Sequence, residues 1–379
     1  MAIPLSVLDL APTVSGATHA DALRRSLALA KAAESFGYHR HWFAEHHFAA
    51  VASTSPDVLV GQALAATERI RVGSAAVLLG YYPAPLVVER FAILAALYPG
   101  RVDLGVGRSA QRFSSHGHNK HMAGADAPAR EQEPFDPDSW PRTDGVLIPK
   151  QPLFRPGDLS ARLAREAQLF LPGSAPADYG EQVDEILDLL AGSRTTAEGV
   201  AVRVAAAEES DLVLWVFGSS RGQSASTAAR KGLPFVTSYH VTPATALDGA
   251  AAYREEFVPS KTLAEPYLVV SADVVVAESD KKAQELAEGY GRWVHSIRAK
   301  GGAEPYPAPG EHAPLAAHER RVVEDRIRTQ FVGSPKTVVE GLSALARLAR
   351  ADELVVTTIT HDHADRVRSY ELLAEAWGR

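Results

Sequence analysis

The chain has 379 residues, 46% of them hydrophobic and 22% charged, with a formal net charge of -7. It can bury a sizeable core, and its overall charge gives no reason to bind nucleic acid or an anionic membrane. The absence of cysteine excludes disulfides, thiolate nucleophiles and cysteine-ligated zinc or iron–sulfur centres. The N-terminal stretch MAIPLSVLDLAP lacks a basic start, and no apolar run reaches the ~18 residues of a membrane span, so the expected location is cytoplasmic.

Short apolar runs then alternate with segments of helical period. IPLSVLDL (3–10) reads as a strand, and the segment after it sets Leu23, Leu27, Ala30 and Ala33 on one helical face before Gly37 stops it. HRHWFAEH (39–46) is the second strand, with a helix over 56–67. IRVGSAAVLL (70–79) is the third, with a helix over 85–97. RVDLGVG (101–107) makes the fourth. DLVLWVFG leads into helix 223–231, LPFVTSYH into 243–256, YLVVSADVVVA into 279–298 and ELVVTTIT into 363–377. Ser334 and Pro335 mark one more helix start, as N-cap and first residue.

Near-continuous apolar strands alternating with amphipathic helices mean a parallel sheet covered on its faces. Eight such units favour a (β/α)8 TIM barrel in a single domain, 1–379. Two stretches depart from the alternation: 108–175, rich in His, Pro, Gly and Asp, which reads as an insertion and lid after strand 4, and 299–330, an insertion before the last βα unit. Chemistry in such barrels sits at the carboxyl ends of the strands. The residues to weigh are therefore Asp9, Glu45 to His47, Ser74 to Val77, Gly107 and Arg108, Gly218 to Ser220, Tyr239 and His240, and Thr357 to His361.

Several of these strand ends carry a joint pattern: FGYHRHWFAEHHF, RIRVGSAAVLL, PGRVDLGVGR, VFGSS with ARKGLP, VGSP and DELVVTT. In that order, and spread along nearly the whole chain, they resemble the luciferase-like flavin monooxygenases, the bacterial luciferase superfamily. The likeness is to the subgroup often found in bacterial natural-product pathways. It implies a two-component enzyme: a separate NAD(P)H:flavin reductase supplies reduced FMN (FMNH2), which reacts with O2 to give a C4a-hydroperoxide that oxygenates an organic substrate. It also implies a homodimer through helices of the first half.

The resemblance assigns roles residue by residue. His46 becomes the acid/base beside the flavin, a task that suits an imidazole titrating near ~6.5, with Glu45 or His47 orienting it. Ala75-Ala76 matches the place where the family carries a non-proline cis peptide against the ring; small side chains there also suit plain barrel packing, and Ser74 adjoins them. Gly107 lets the ligand approach, and Arg108 offers the flavin phosphate a fork of donors. Ser219, Ser220, Gly222, Gln223 and Ser224 stand between a strand and a helix, where free N–H groups bind an anion. GVGRSA alone is a partial dinucleotide fingerprint, and Asp126 sits in neither strand nor strand end to complete it.

Asp9, Phe113, Tyr239 and His240 are the candidate substrate pocket. With Met122, Phe135, Trp140, Phe154 and Trp215 or Phe217 they suggest a roomy, partly aromatic site for a small hydrophobic, polyketide-like molecule, whereas Arg112, Lys120 and Arg130 would suit an anion. Three other readings remain open. A relative using the deazaflavin F420 would transfer hydride without oxygen. A luciferase-like partner subunit would not turn over. The pairs His39/His41 and His361/His363, with His116, His118 and His121, resemble zinc ligands of a barrel hydrolase, although few of them stand at strand ends, and no metal is expected.

Overall fold

A computed structural model describes residues 3–108, 135–152, 164–170, 177–299, 302 and 304–378. Eight parallel strands form a closed ring: β1 (Leu5–Asp9), β2 (Arg40–Phe43), β3 (Arg71–Ser74), β4 (Val102–Gly107), β5 (Val213–Gly218), β6 (Phe235–Thr237), β7 (Leu268–Val276) and β8 (Glu353–Thr357). Each pairs with the next, and β8 closes on β1 through Leu5 opposite Leu354 and Val7 opposite Val356. This is the (β/α)8 barrel that the alternation predicts.

Side-chain parity divides each strand. Val7, Val72, Leu104, Val216 and Val356 face outward into the layer shared with the helices, whereas Leu8, Trp42, Trp215, Val236, Val269 and Val355 fill the interior. The helices over that layer are α1 (His19–Ser35), α2 (Pro56–Ala66), α3 (Ala84–Leu97), α4 (Tyr179–Leu190), α5 (Gln223–Arg230), α6 (Ala246–Glu256), α7 (Pro335–Ala349) and α8 (His363–Trp377). Thr18 caps α1 in a reciprocal box with Asp21, and Asp178 caps α4 by accepting the N–H groups of Gly180 and Glu181.

Two helices differ from the pattern read in the sequence. The stretch expected as one helix over 279–298 is two, Asp280–Ala287 and Tyr290–Ala299, broken at Glu288-Gly289, where a Cβ on Gly289 would lie 2.9 Å from Pro307. The helix that returns the chain to β8 is α7, begun at Pro335 after Ser334, whose backbone N–H donates to Asp280 at 2.6 Å. Within 299–330 lies another helix, Ala317–Thr329. Tyr290, Trp293, Val294, Tyr306 and Val323 of this region join the interior cluster with Leu8, Leu10 and Val14, so the region covers one side of the barrel's C-terminal mouth. It is sewn to the loop after β1 by Tyr306 N–H to Thr13 and Ser15 N–H to Tyr306, both 2.9 Å.

Of the stretch 108–175, residues 109–134, 153–163 and 171–175 lie outside the described residues, and with them Phe113, Met122, Phe154, Arg112, Lys120, Arg130 and the three histidines from 116 to 121. The described part holds a two-stranded hairpin, Arg142–Thr143 with Val146–Leu147, turned by Asp144-Gly145, both at positive φ.

Deep in the barrel, Arg40 bonds Asp103 at 3.0 Å and also pairs with Glu353, while Trp215 donates to Asp103 at 3.1 Å and Tyr267 to Glu353 at 3.0 Å. Arg40 stacks 4.7 Å from the Trp215 ring. Each buried charge there has a partner, the condition under which such groups are tolerated in a core.

Candidate active site

Small residues mark the mouth between β2 and β5. Gly73 would clash with the Trp42 ring at 2.6 Å if it carried a Cβ, and Gly105 would meet the Ser74 carbonyl at 2.0 Å and the Phe217 ring at 2.5 Å. A Cβ at Gly107 would stand only in ordinary contact, 3.4 Å from Ala76 and 4.0 Å from Phe217. The Ala75-Ala76 peptide is cis. Trp42 forms edge-to-face pairs with Trp215 at 5.4 Å and Phe217 at 5.5 Å, making an aromatic floor beneath these small residues.

Beside that floor, at the ends of β4 and β5, lies a cationic corner. Arg108 is half-buried; burial lowers its pKa, one guanidinium nitrogen donates to Gln223 Oε1 at 3.0 Å, and its Nε is shut from solvent with no acceptor among the described residues. Gln223 in turn donates to Asp178 at 3.1 Å. The first N–H groups of α5 have no intrahelical acceptor by construction, and no described residue stands within 4 Å of where a Cβ on Gly222 would point. Close packing draws the helix in: a Cβ on Gly218 would lie 3.0 Å from Ser224. The backbone of Ser220 sits 3.0 Å from the Cβ position of Gly249 in α6. Thr242 and Thr245 hold the Ser219 carbonyl at 3.0 and 2.7 Å. Arg108, Ser219, Ser220, Gly222, Gln223 and Ser224 are thus neighbours.

At the end of β2, His46 is exposed, and its backbone N–H donates to Ser53 at 2.9 Å. Glu45 is buried, and its carboxylate accepts from His47 at 2.7 Å, the Tyr82 hydroxyl at 2.9 Å and the Leu78 N–H at 2.9 Å. The side chain that Glu45 orients is therefore His47, with His46 held through the backbone. Burial, with the adjacent Glu45, pushes the Tyr82 phenol well above its usual value.

Three expected positions turn elsewhere. Asp9 was expected in the pocket, but Leu8 takes the inward face, so Asp9 points outward and is fully buried against Arg366 of α8 at 2.8 Å and the Ala11 N–H at 2.8 Å. Burial alone would raise its pKa; Arg366 and His41 outweigh that and hold it far below the usual carboxylate range. Tyr239 is also in the outer layer, its hydroxyl bonded to the Leu147 carbonyl at 2.7 Å. The Ser74 hydroxyl bridges to β4, donating to the Gly105 carbonyl at 2.9 Å and accepting its N–H at 3.0 Å. His240 does face the mouth: its Nδ1 is 2.5 Å from the hydroxyl of Ser271, a β7 residue of inward parity. Asp178, Tyr179 and Ser271 are the site neighbours that the sequence reading passed over. The apolar spacing Val183, Ile186, Leu187, Leu190 behind an N-capping aspartate was the signal for the first two.

Among the described residues no three His, Asp or Glu side chains gather as metal ligands, and no helix is long and apolar enough to cross a membrane. A surface depression of about 390 Å³, lined by Glu34, Tyr38, His39 and Arg69, opens at the opposite, N-terminal end of the barrel.

The architecture defines a (β/α)8 barrel with Glu45 to His47, Arg108, the start of α5 and His240 gathered at its C-terminal strand ends. The chain belongs to the luciferase-like monooxygenase family, whose model matches residues 6–132 and 172–352. It is 30% identical over 374 residues to a luciferase-like monooxygenase of Escherichia coli K12, covering 98% of this chain and 96% of that protein. Among solved structures it is similar to apo-MsnO8, with 30% identity, a TM-score of 0.75 and coverage of 99% and 98%. It shares its fold, at 16% identity and a TM-score of 0.61 over 99% and 98%, with the oxygenating constituent of 3,6-diketocamphane monooxygenase of Pseudomonas putida. That protein is a type II Baeyer–Villiger monooxygenase in complex with FMN.

Proposed function

We propose that this protein binds reduced FMN at the C-terminal mouth of its barrel and, with O2, oxygenates a small hydrophobic organic substrate, the reduced flavin coming from a separate reductase. The observation that carries this reading is the corner around Arg108: a half-buried guanidinium whose Nε has no acceptor among the described residues, beside the first turn of α5, where those residues leave open space at Gly222. A cation buried without a full set of acceptors is a standing cost that a phosphate relieves. Arg108, Gln223, Ser224 and the N–H groups around Ser219, Ser220 and Gly222 would hold that phosphate. Ala75, Ala76 and Gly107 would flank the ring.

The flavin, when bound, supplies the activation of oxygen. The chain's own residues position and shield: Trp42, Trp215 and Phe217 make an aromatic floor, and the helices after β7 keep water from one side. The exposed His46 imidazole takes and returns a proton, while the bond between Glu45 and His47 fixes the loop that carries it.

An anaerobic titration with reduced FMN and, in parallel, F420, followed by air and rapid-mixing absorbance, tests the proposal. The expected result is saturable binding of reduced FMN and a reoxidation course unlike that of free flavin. Binding of F420 alone would reassign the site to hydride transfer, and binding of neither would remove the flavin from it.

A further inference from the structure

Across the mouth from His46 the wall is built differently. β2 and β6 are four strands apart in a ring of eight, so the residues that follow them face each other over the barrel axis. His240, three residues beyond the end of β6, is half-buried, and its one bond among the described residues runs from Nδ1 to Ser271 Oγ. Ser271 is 1% exposed and has no other side-chain partner among the described residues.

A buried hydroxyl needs an acceptor for its proton, and Nδ1 is the acceptor in reach. The imidazole proton then resides on Nε2, which is neither hydrogen-bonded to a described residue nor shut from solvent. Behind this pair, Arg326 donates to Asp273 at 3.0 Å and to the Tyr290 hydroxyl at 3.0 Å, and Tyr290 itself bonds Asp273. Burial, helped by the Arg326 charge, pushes the His240 pKa down to about 3, so the ring is neutral at physiological pH.

We infer that His240, with its tautomer set by Ser271, presents one neutral Nε2–H donor to a carbonyl oxygen of the organic substrate. A single uncharged donor matches a single uncharged acceptor. Among the described residues Arg326, the cation beside His240, is already engaged by Asp273 and Tyr290, so this part of the wall suits an uncharged acceptor better than a carboxylate. The floor of Trp42, Trp215 and Phe217 takes the apolar body of the molecule. The inference rests on the proposed oxygenase reading and narrows its substrate class to ketones and related carbonyl compounds.

The test uses the protein loaded with FMN and a matched probe pair, a decalone and decalin, with binding followed by ligand-observed NMR. The native protein prefers the ketone by about tenfold or more. His240→Leu abolishes the preference, His240→Gln, which keeps an N–H donor, retains part of it, and Ser271→Ala weakens it by freeing the tautomer. Nitrogen-15 spectra of the histidines show His240 with a protonated Nε2 and a bare Nδ1. No preference in the native protein, an unchanged preference in His240→Leu, or a protonated Nδ1 overturns the inference. FMN affinity measured on the same samples separates the two readings, since lost FMN binding with an intact ketone preference would sink the flavin and leave His240 standing.

Discussion

Arg108 and His240 show what burial does to a titratable side chain. Arginine stays charged in a protein even when burial lowers its pKa, so Arg108 remains a cation, short of one acceptor among the described residues, at the site proposed for the flavin phosphate. Replacing it by alanine should weaken reduced FMN roughly 10- to 100-fold, from the ~1.5–3 kcal/mol of a charge-assisted bond, as read by anaerobic titration. The histidines make a prediction of opposite kind. Burial drives His240 down to about 3 and His39 to about 4, whereas an unfolded imidazole binds its proton near ~6.5. Between those values the unfolded chain holds more protons, so stability falls as the pH falls from about 6.5 towards the folded values. His240→Gln should flatten that slope in denaturant titrations run at a series of pH values. Asp9 adds a loss of the same sign further down: its folded pKa is depressed, so its contribution is present above the unfolded value of ~3.9 and disappears in acid.

At the scale of strands and helices, much was legible, because a parallel strand covered on both faces is an apolar run and an outer helix keeps its period. What could not be read was parity. A one-residue uncertainty at a strand end decides whether a side chain points to the mouth or to the helices, and it sent Asp9 and Tyr239 outward although both stand at strand ends. The likeness to a family pointed to Arg108 and Gln223, which bond each other, but Asp178, the further partner of Gln223, comes 70 residues after Arg108 in the chain and was invisible to local pattern. The break at Gly289 was hidden too, since the close approach of Pro307 that demands a glycine is a tertiary contact. Two glycines of β4 turn this into a prediction. Gly105→Ala forces a methyl into the Ser74 carbonyl and the Phe217 ring and should cost ~1–3 kcal/mol, seen as a lower Tm. Gly107→Ala finds only ordinary contacts and should leave Tm nearly unchanged while weakening flavin binding at the mouth.

Across the whole molecule, the described residues leave an apolar stripe uncovered on α3. Leu86, Ile93 and Leu97 of α3 are 37%, 59% and 67% exposed, and their spacing of seven and four residues keeps them on one side of the helix, with Val58 of neighbouring α2 at 60%. A second copy of the chain packed there would account for the stripe, in line with the homodimer that the resemblance implies. Ile93→Glu combined with Leu97→Glu should convert a sedimenting dimer to a monomer; an unchanged sedimentation coefficient would place the interface elsewhere.

The tight pairing of Trp42 with Trp215, 5.4 Å apart and almost wholly shielded, has a consequence in optics. Two of the chain's five tryptophans are lodged there, Trp42 among rings and Trp215 bonded to Asp103 beneath Arg40. If oxidised flavin occupies the mouth as the proposed function has it, its ring would drain their excitation by near-field transfer. Filling of the mouth becomes a dimming of ultraviolet-excited light from the floor, legible on the unlabelled protein.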